Sequence, residues 1–282
     1  MSVENFEKII SEGSQKGMFQ CALGGRGDVD QHENFEELLQ ICRKYDVVPN
    51  FTSSGLGFTP EIVDICKKYC GAIAISWYRS DYTNKSIQML LDAGVTTNIH
   101  YVLGNNSIDE AISHLENNDF PKGINAVIFL LHKPVGLGSE KNVLDIKDPK
   151  VKKFFELVDH VNANHLVDFK IGFDSCSIPG ILNFTSKIDG DSIDTCEGGR
   201  YSAYVSADMI MMPCSFDNQE LRWGVDISKC SLQEAWDSKE FDEFRSHFKN
   251  SCSSCPNKSM CLGGCPIRRQ IVLCDKPEKN LL

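Results

Sequence analysis

Short apolar runs alternate with amphipathic stretches of about ten or more residues over the first 175 positions, and this alternation leaves few folds open. The periodicity predicts helices over 3–17, 33–45, 60–69, 81–93, 107–117 and 148–163. Between them it predicts strands over 18–23, 47–52, 72–76, 95–103, 125–131 and 167–173. In the first helix Val3, Phe6, Ile9 and Ile10 share one face. The strand runs read as apolar on both faces. Strands joined through helices of this length pair in parallel, so the expected class is α/β, a barrel-like or doubly wound domain. Chemical groups are expected at the carboxyl ends of the strands.

After about residue 175 the pattern changes, and a domain boundary is expected near 175–190. Residues 201–205 and 209–212 read as a hairpin across Ser206-Ala207-Asp208. Residues 231–249 read as a helix presenting Leu232, Ala235, Trp236, Phe241, Phe244 and Phe248. From 251 onward cysteine, glycine and proline dominate. No internal repeat is visible.

The 282 residues are 41% hydrophobic, enough for a packed core, and carry a net charge of −10, which argues against a nucleic-acid partner. The first residues lack the basic start and apolar run of a secretory leader, and no stretch approaches the length of a membrane span. A cytoplasmic chain is therefore expected, with its 13 cysteines reduced. Clustered cysteines in such a chain point to metal rather than disulfides. Five form the series Cys252-x2-Cys255-x5-Cys261-x3-Cys265 and Cys274, and Cys196 and Cys214 stand upstream. Thiolates grouped in this way without histidine suit iron–sulfur clusters or zinc. Unligated buried thiols are the plain alternative. Cys21, Cys42, Cys66, Cys70 and Cys230 lie outside the series; Cys66 and Cys70, four apart on a helix, read as small packed residues.

The run from Cys252 to Pro266, with Cys274 beyond and Cys196 and Cys214 before, resembles the SPASM domain, the auxiliary-cluster extension of many radical SAM enzymes. The resemblance covers roughly residues 175–275. It implies one or two [4Fe–4S] clusters: Cys252, Cys255, Cys261 and Cys274 on one, and Cys196, Cys214 and Cys265 on the other. Cys176 is the best candidate for the missing fourth ligand. Gly263 and Gly264 fit the scheme, since backbone N–H groups without a Cβ approach sulfur closely. The family usually has glycine where this chain has Met209.

The front half resembles the radical SAM partial barrel, a (β/α)6 TIM-like fold, here lacking its first strand. Gly24-Gly25-Arg26-Gly27-Asp28 stands where the family has Gly-Gly-Glu-Pro, whose backbone and carboxylate hold the amino group of S-adenosylmethionine. Arg26 cannot accept a bond from an ammonium, so backbone carbonyls or Asp28 would take over. Ser53-Ser54-Gly55 is similar to the family's Thr-Asn-Gly, and Ser76 matches a serine that touches the cofactor. Asn98 occupies a position often polar for the same reason, with His100 on the same face. The resemblance thus implies cofactor contacts at Gly24, Gly25, Ser53, Gly55, Ser76 and Asn98. Lys133, in the turn after the 125–131 strand, either reaches an acidic group or is solvated.

The family's Cys-x3-Cys-x2-Cys loop, which holds the cluster that binds S-adenosylmethionine, has no counterpart in these 282 residues. The chain begins at the helix that would follow that loop, and a start at an internal Met is the favoured reading. The intact enzyme is expected to generate a 5′-deoxyadenosyl radical and modify a peptide or protein. It would draw electrons from a flavodoxin- or ferredoxin-type reductant. This chain alone is expected to be inactive. Two alternatives stand beside that reading: a non-catalytic electron-transfer or peptide-binding iron–sulfur remnant, and a zinc-stapled interaction domain. The expected domains are 1–175, the partial barrel, and 176–282, the SPASM domain.

Overall fold

A computed structural model describes residues 1–25, 27–217, 221–248, 252 and 254–275; Arg26 lies outside the described residues. Helix α1 (Val3–Ser14) starts at Ser2, whose hydroxyl accepts the Asn5 N–H at 3.2 Å. Strand β1 (Gln20–Leu23) leads to α2 (Phe35–Lys44), which stops at the left-handed Asp46. Then follow β2 (Val48–Ser53), α3 (Pro60–Tyr69), β3 (Ile73–Ser76), α4 (Asp81–Asp92), β4 (Thr97–Leu103), α5 (Ile108–Asn117) and β5 (Ala126–Leu131). Thr59 and Ser80 cap α3 and α4, and Pro60 occupies the first turn of α3, where no N–H is needed. Helix α6 (Pro149–Ala163) and strand β6 (Lys170–Phe173) complete the alternation.

The six strands lie in the order β1-β2-β3-β4-β5-β6. Neighbours from β1 to β4 pair in parallel. This sequential α/β order, with a helix between strands, is the topology of a partial (β/α) barrel. The strands are not apolar on both faces. In β2 and β4 buried and half-buried residues alternate. The half-buried positions carry Asn50, Thr52, Asn98 and His100, so one face is core and the other is polar.

Beyond β6 come α7 (Ile178–Phe184), β7 (Tyr204–Val205), β8 (Ile210–Met212) and β9 (Val225–Asp226). The hairpin forms in a shorter version than the sequence predicts, and β9 adds a third antiparallel strand. The helix predicted over 231–249 is two: α8 (Leu232–Trp236) and α9 (Lys239–Ser246). Ser238 divides them because its side chain accepts the Phe241 N–H and starts a new helix. A last short helix, α10 (Lys258–Cys261), lies in the cysteine series.

Two compact units divide the chain: Met1–Tyr101 with Pro121–Ile128, and Val102–Phe120 with Phe129–Leu282. In the first, Phe6 and Ile10 of α1 pack with Leu38, Ile41 and Cys42 of α2 and with Val47. In the second, Phe129, Phe154, Phe155, Phe173 and Phe184 form a chain of ring contacts, with Phe129 and Phe154 edge-on at 5.0 Å. Burial of each such side chain contributes about 1.5–3 kcal/mol, which is why these helices dock where they do.

Candidate functional site

In the first unit, parallel register sets the polar face of the sheet. Thr52 pairs with Ala74, and Ala74 with Asn98; Ser76 pairs with His100. Across β3, His100 Nδ1 lies 3.1 Å from Thr52 Oγ1. The small Ala74 between their strands leaves room for that bond. His100 is thus a hydrogen-bonded rim residue. Asn98 is engaged too, accepting the Asn125 side-chain N–H at 2.8 Å. Ser76 is half-buried at the carboxyl end of β3.

The loops above these strand ends are tied by side chains. Asp28 accepts both the backbone N–H of Ser54, at 2.8 Å, and its hydroxyl. The acid that could have replaced the missing glutamate is therefore committed to the loop after β2. Ser53 is fully buried and accepts the Gly55 N–H at 3.0 Å, so it shapes the turn. Gly55 has φ +82°, and a Cβ there would stand 2.1 Å from Ser86 Oγ. No other residue fits without displacing α4. Gly24 and Gly25 are exposed, and a Cβ on either would meet open space. Gly24, Gly25 and Ser76 lie at the carboxyl ends of β1 and β3, whereas Asn98 is the second residue of β4, at its amino end.

In the second unit four of the eight candidate thiols converge. Cys176 stands in a tight turn after β6, and its thiol hydrogen-bonds that of Cys265. That bond and burial push Cys176 well above the ordinary thiol range. Burial raises Cys196, and Cys176 adds to the rise. Burial likewise pushes Cys214 up to about 12, with Cys176 and Cys196 as like-charged neighbours. A second group forms at Cys261, which burial raises and whose charged neighbours are Cys274 and Cys252. Cys255 sits exposed at the start of that segment.

Backbone geometry serves these sulfurs. The Arg268 N–H donates to Cys265 Sγ at 3.3 Å. The N–H groups of Gly198 and Phe216 do the same for Cys196 and Cys214, each two residues back, and Gly263 does so for Cys261. Leu262, Gly263 and Gly264 all have positive φ, which curls the chain around Cys261. At Gly264 a Cβ would lie 2.7 Å from Val272. The hairpin turn keeps its shape without the usual glycine, because Met209 itself adopts φ +63°. Trp223, Phe244 and Phe248 form an apolar cluster against which Cys196 and Cys214 pack.

Lys133 is not solvated. Its side chain is 6% exposed and ion-paired with Asp174, which also accepts the Ser177 hydroxyl at 3.0 Å. Its ammonium lies 4.7 Å from the centre of the Phe216 ring. Of the two readings of Lys133, the acidic partner is the one found; no spacing rule connects a lysine after β5 to an acid after β6, so the sequence could not name Asp174. The turn Glu197–Ser202 is likewise braced by Arg200, which bonds Thr195 Oγ1 at 2.6 Å and the Cys196 carbonyl at 3.2 Å.

An all-sulfur donor set, half-buried except for Cys255 and with backbone N–H groups turned to Cys196, Cys214, Cys261 and Cys265, fits a cationic iron–sulfur core. Among the described residues, no three His, Cys, Asp or Glu side chains are drawn up to hold a single metal ion. Four thiolates on one zinc stand about 3.8 Å apart, given bonds of about 2.3 Å. A four-iron cluster gives each thiolate its own iron and accepts a wider set. Cys21 and Cys42, and Cys66 and Cys70, pair by thiol hydrogen bonds in the first unit. Cys42 and Cys66 are fully buried there, as packed residues.

Residues 196–256 match the SPASM family, described as an iron-sulfur cluster-binding domain. No curated protein matches the sequence. Among solved structures, SuiB of Streptococcus suis bound to S-adenosylmethionine is 14% identical with a TM-score of 0.71, covering 98% of this chain and 71% of that one. SuiB bound to its precursor peptide SuiA gives 17% and 0.72, covering 95% of this chain and 65% of that one. The enzyme anSMEcpe with bound AdoMet and the Cp18Cys peptide gives 16% and 0.72, covering all of this chain and 84% of that one. The chain thus shares the fold of these solved structures and carries a SPASM segment within it.

Proposed function

From a SPASM segment on a radical SAM fold, we propose that this chain is the iron–sulfur portion of a peptide- or protein-modifying radical enzyme. The observation that carries the reading is the meeting of Cys176 and Cys265, on either side of the SPASM match, with each other and with Cys196 and Cys214 inside it. The peptide-bound relatives support a peptide as substrate class. In this reading residues 1–175 form the barrel domain and 176–282 the cluster domain. Cys176, Cys196, Cys214 and Cys265 hold one [4Fe–4S] cluster; Cys252, Cys255, Cys261 and Cys274 hold the other.

S-adenosylmethionine, with a reduced cluster, supplies hydrogen-atom abstraction from the substrate. The chain's residues position and shield. Gly24 and Gly25 offer backbone groups without side-chain hindrance. The buried Ser53 and the constrained Gly55 fix the loop beside them, and Ser76 presents its hydroxyl to the ligand; Asn98, lower on β4 and bonded to Asn125, supports that face rather than its rim. Trp223, Phe244 and Phe248 keep water from one set of thiols. A flavodoxin- or ferredoxin-type protein is the proposed electron source, and the cytoplasm the proposed location. Among the described residues no helix is long and apolar enough to cross a membrane.

The test is metal analysis of chain reconstituted without oxygen. About eight iron and eight sulfide per chain are expected, with absorbance near ~400 nm. Cys176→Ala should lose about half of that iron. Stoichiometric zinc with negligible iron would sink the reading in favour of a zinc-stapled domain.

A further inference from the structure

A buried cation stands at the four-thiol group, and neither the SPASM spacing nor the fold calls for one. Lys133 comes from the turn after β5, and Asp174 from the end of β6, two residues before Cys176. The lysine ammonium lies against Phe216, itself two residues after Cys214. Cys176, Cys214 and Cys265 all lie within its electrostatic reach. The lysine side chain is 6% exposed and the aspartate 20% exposed, so little water screens either charge.

Removing either partner of a buried pair leaves the other uncompensated, and Asp174 alone offsets Lys133 when no further charge is near. Four thiolates on a four-iron core add net negative charge, and reduction adds one more. A fixed ammonium beside them favours the reduced form. A fixed carboxylate disfavours it. The two side chains thus act on the same couple with opposite signs.

We propose that Lys133 and Asp174 are positioning residues that set the reduction potential of the cluster held by Cys176, Cys196, Cys214 and Cys265, the lysine raising it and the aspartate lowering it. The inference rests on the ligand scheme proposed above. It gives that cluster, and not the one at Cys261, a tuned place in electron transfer.

The experiment is a redox titration of the reconstituted full chain, followed by electron paramagnetic resonance. The two cluster signals are told apart by their loss in Cys214→Ala and in Cys261→Ala. Lys133→Met should lower the potential of the Cys214-dependent signal by at least a tenfold change in its reduction equilibrium, about 59 mV for one electron. Asp174→Asn should raise it, and Lys133→Arg should hold it near the wild-type value. The Cys261-dependent signal should stay in place in all three. A purely structural role would move both variants the same way or cost iron without a shift of potential. If Lys133→Met fails to fold, Asp174→Asn decides alone: a rise supports the inference, and no change or a fall overturns it. Full iron with unmoved potentials overturns the inference and spares the ligand scheme. A Cys214→Ala protein that keeps all wild-type iron overturns the scheme, and the inference with it.

Discussion

Asp28 holds Ser54 by two bonds at once, one to its backbone N–H at 2.8 Å and one to its hydroxyl. The loop after β1 is thereby fastened to the loop after β2, where Ser53 and Gly55 lie. Asp28→Ala should cost about 1.5–3 kcal/mol, since both lost bonds involve a charged acceptor. Chemical denaturation would measure that loss. Binding of S-adenosylmethionine by the intact protein should weaken in the same variant. An unchanged unfolding midpoint would show that the clamp contributes nothing.

Gly55→Ala should destabilise more than an ordinary loop substitution. The left-handed backbone alone costs about 1–2 kcal/mol for a residue with a Cβ. The 2.1 Å approach to Ser86 Oγ adds to it. In the Gly55→Ala, Ser86→Ala double variant the Oγ clash should be relieved, while the 2.9 Å approach to the Ser86 Cβ and the backbone part should remain. Full recovery of the melting temperature would mean the φ carries no strain.

Met209 sets two effects against each other. Its φ of +63° favours glycine, a gain of about 1–2 kcal/mol for Met209→Gly. The side chain is 4% exposed, and losing a buried methionine costs about 2–5 kcal/mol. Burial should win, so Met209→Gly should melt earlier than the wild type. A higher melting temperature would show that the turn outweighs the packing.

Asp159 predicts an acid limit for the segment after α7. Burial raises its carboxyl, but the N–H groups of Ser186 and Lys187 and the Ser186 hydroxyl more than offset this. Its folded pKa is therefore below the ordinary 3.8. The stabilisation is fully present above that value and is lost as pH falls through the folded pKa. Asp159→Asn should be less stable at neutral pH and should lose less than the wild type on acidification below pH ~4. Parallel stability–pH curves for the two proteins would refute this.

Removing clusters should loosen the cysteine-rich part selectively. A group bound only by the folded chain stabilises it by mass action. Hydrogen exchange after chelation should therefore speed up first from about residue 176 onward. Equal acceleration in β1 to β4 would contradict the proposed boundary at 175.

The barrel half was legible because its helices and strands each carry a period that matches one packing face. What the pattern misstated was the polar side of the strands: Asn50, Thr52, Asn98 and His100 sit among apolar neighbours and read as interruptions. Helix α7 was missed because Pro179 and Gly180 both argue against a helix. Pro179 is harmless in the first turn, and Gly180 is required because a Cβ there would meet the Phe155 ring at 2.6 Å. The second group stands close together in the sequence, but its assignment to one cluster rests on the family resemblance and not on spacing. The union of Cys176 with Cys265, and of Lys133 with Asp174, depends on chain segments far apart in sequence, and no local signal records it.

That separation bears on the order in which the molecule is made. The strands of the sheet pair in the order they leave the ribosome, so the front of the chain can assemble as it emerges. The thiol group has no such freedom. Asn183 on α7 bonds the Leu273 carbonyl 90 residues later, and Cys176 waits almost as long for Cys265. Until synthesis has passed that point, Cys176 after β6 and Cys196 and Cys214 on either side of the hairpin stand open to oxidants. In the proposed ligand scheme, iron delivery to these thiols would be a late step, made on a chain whose sheet is already complete.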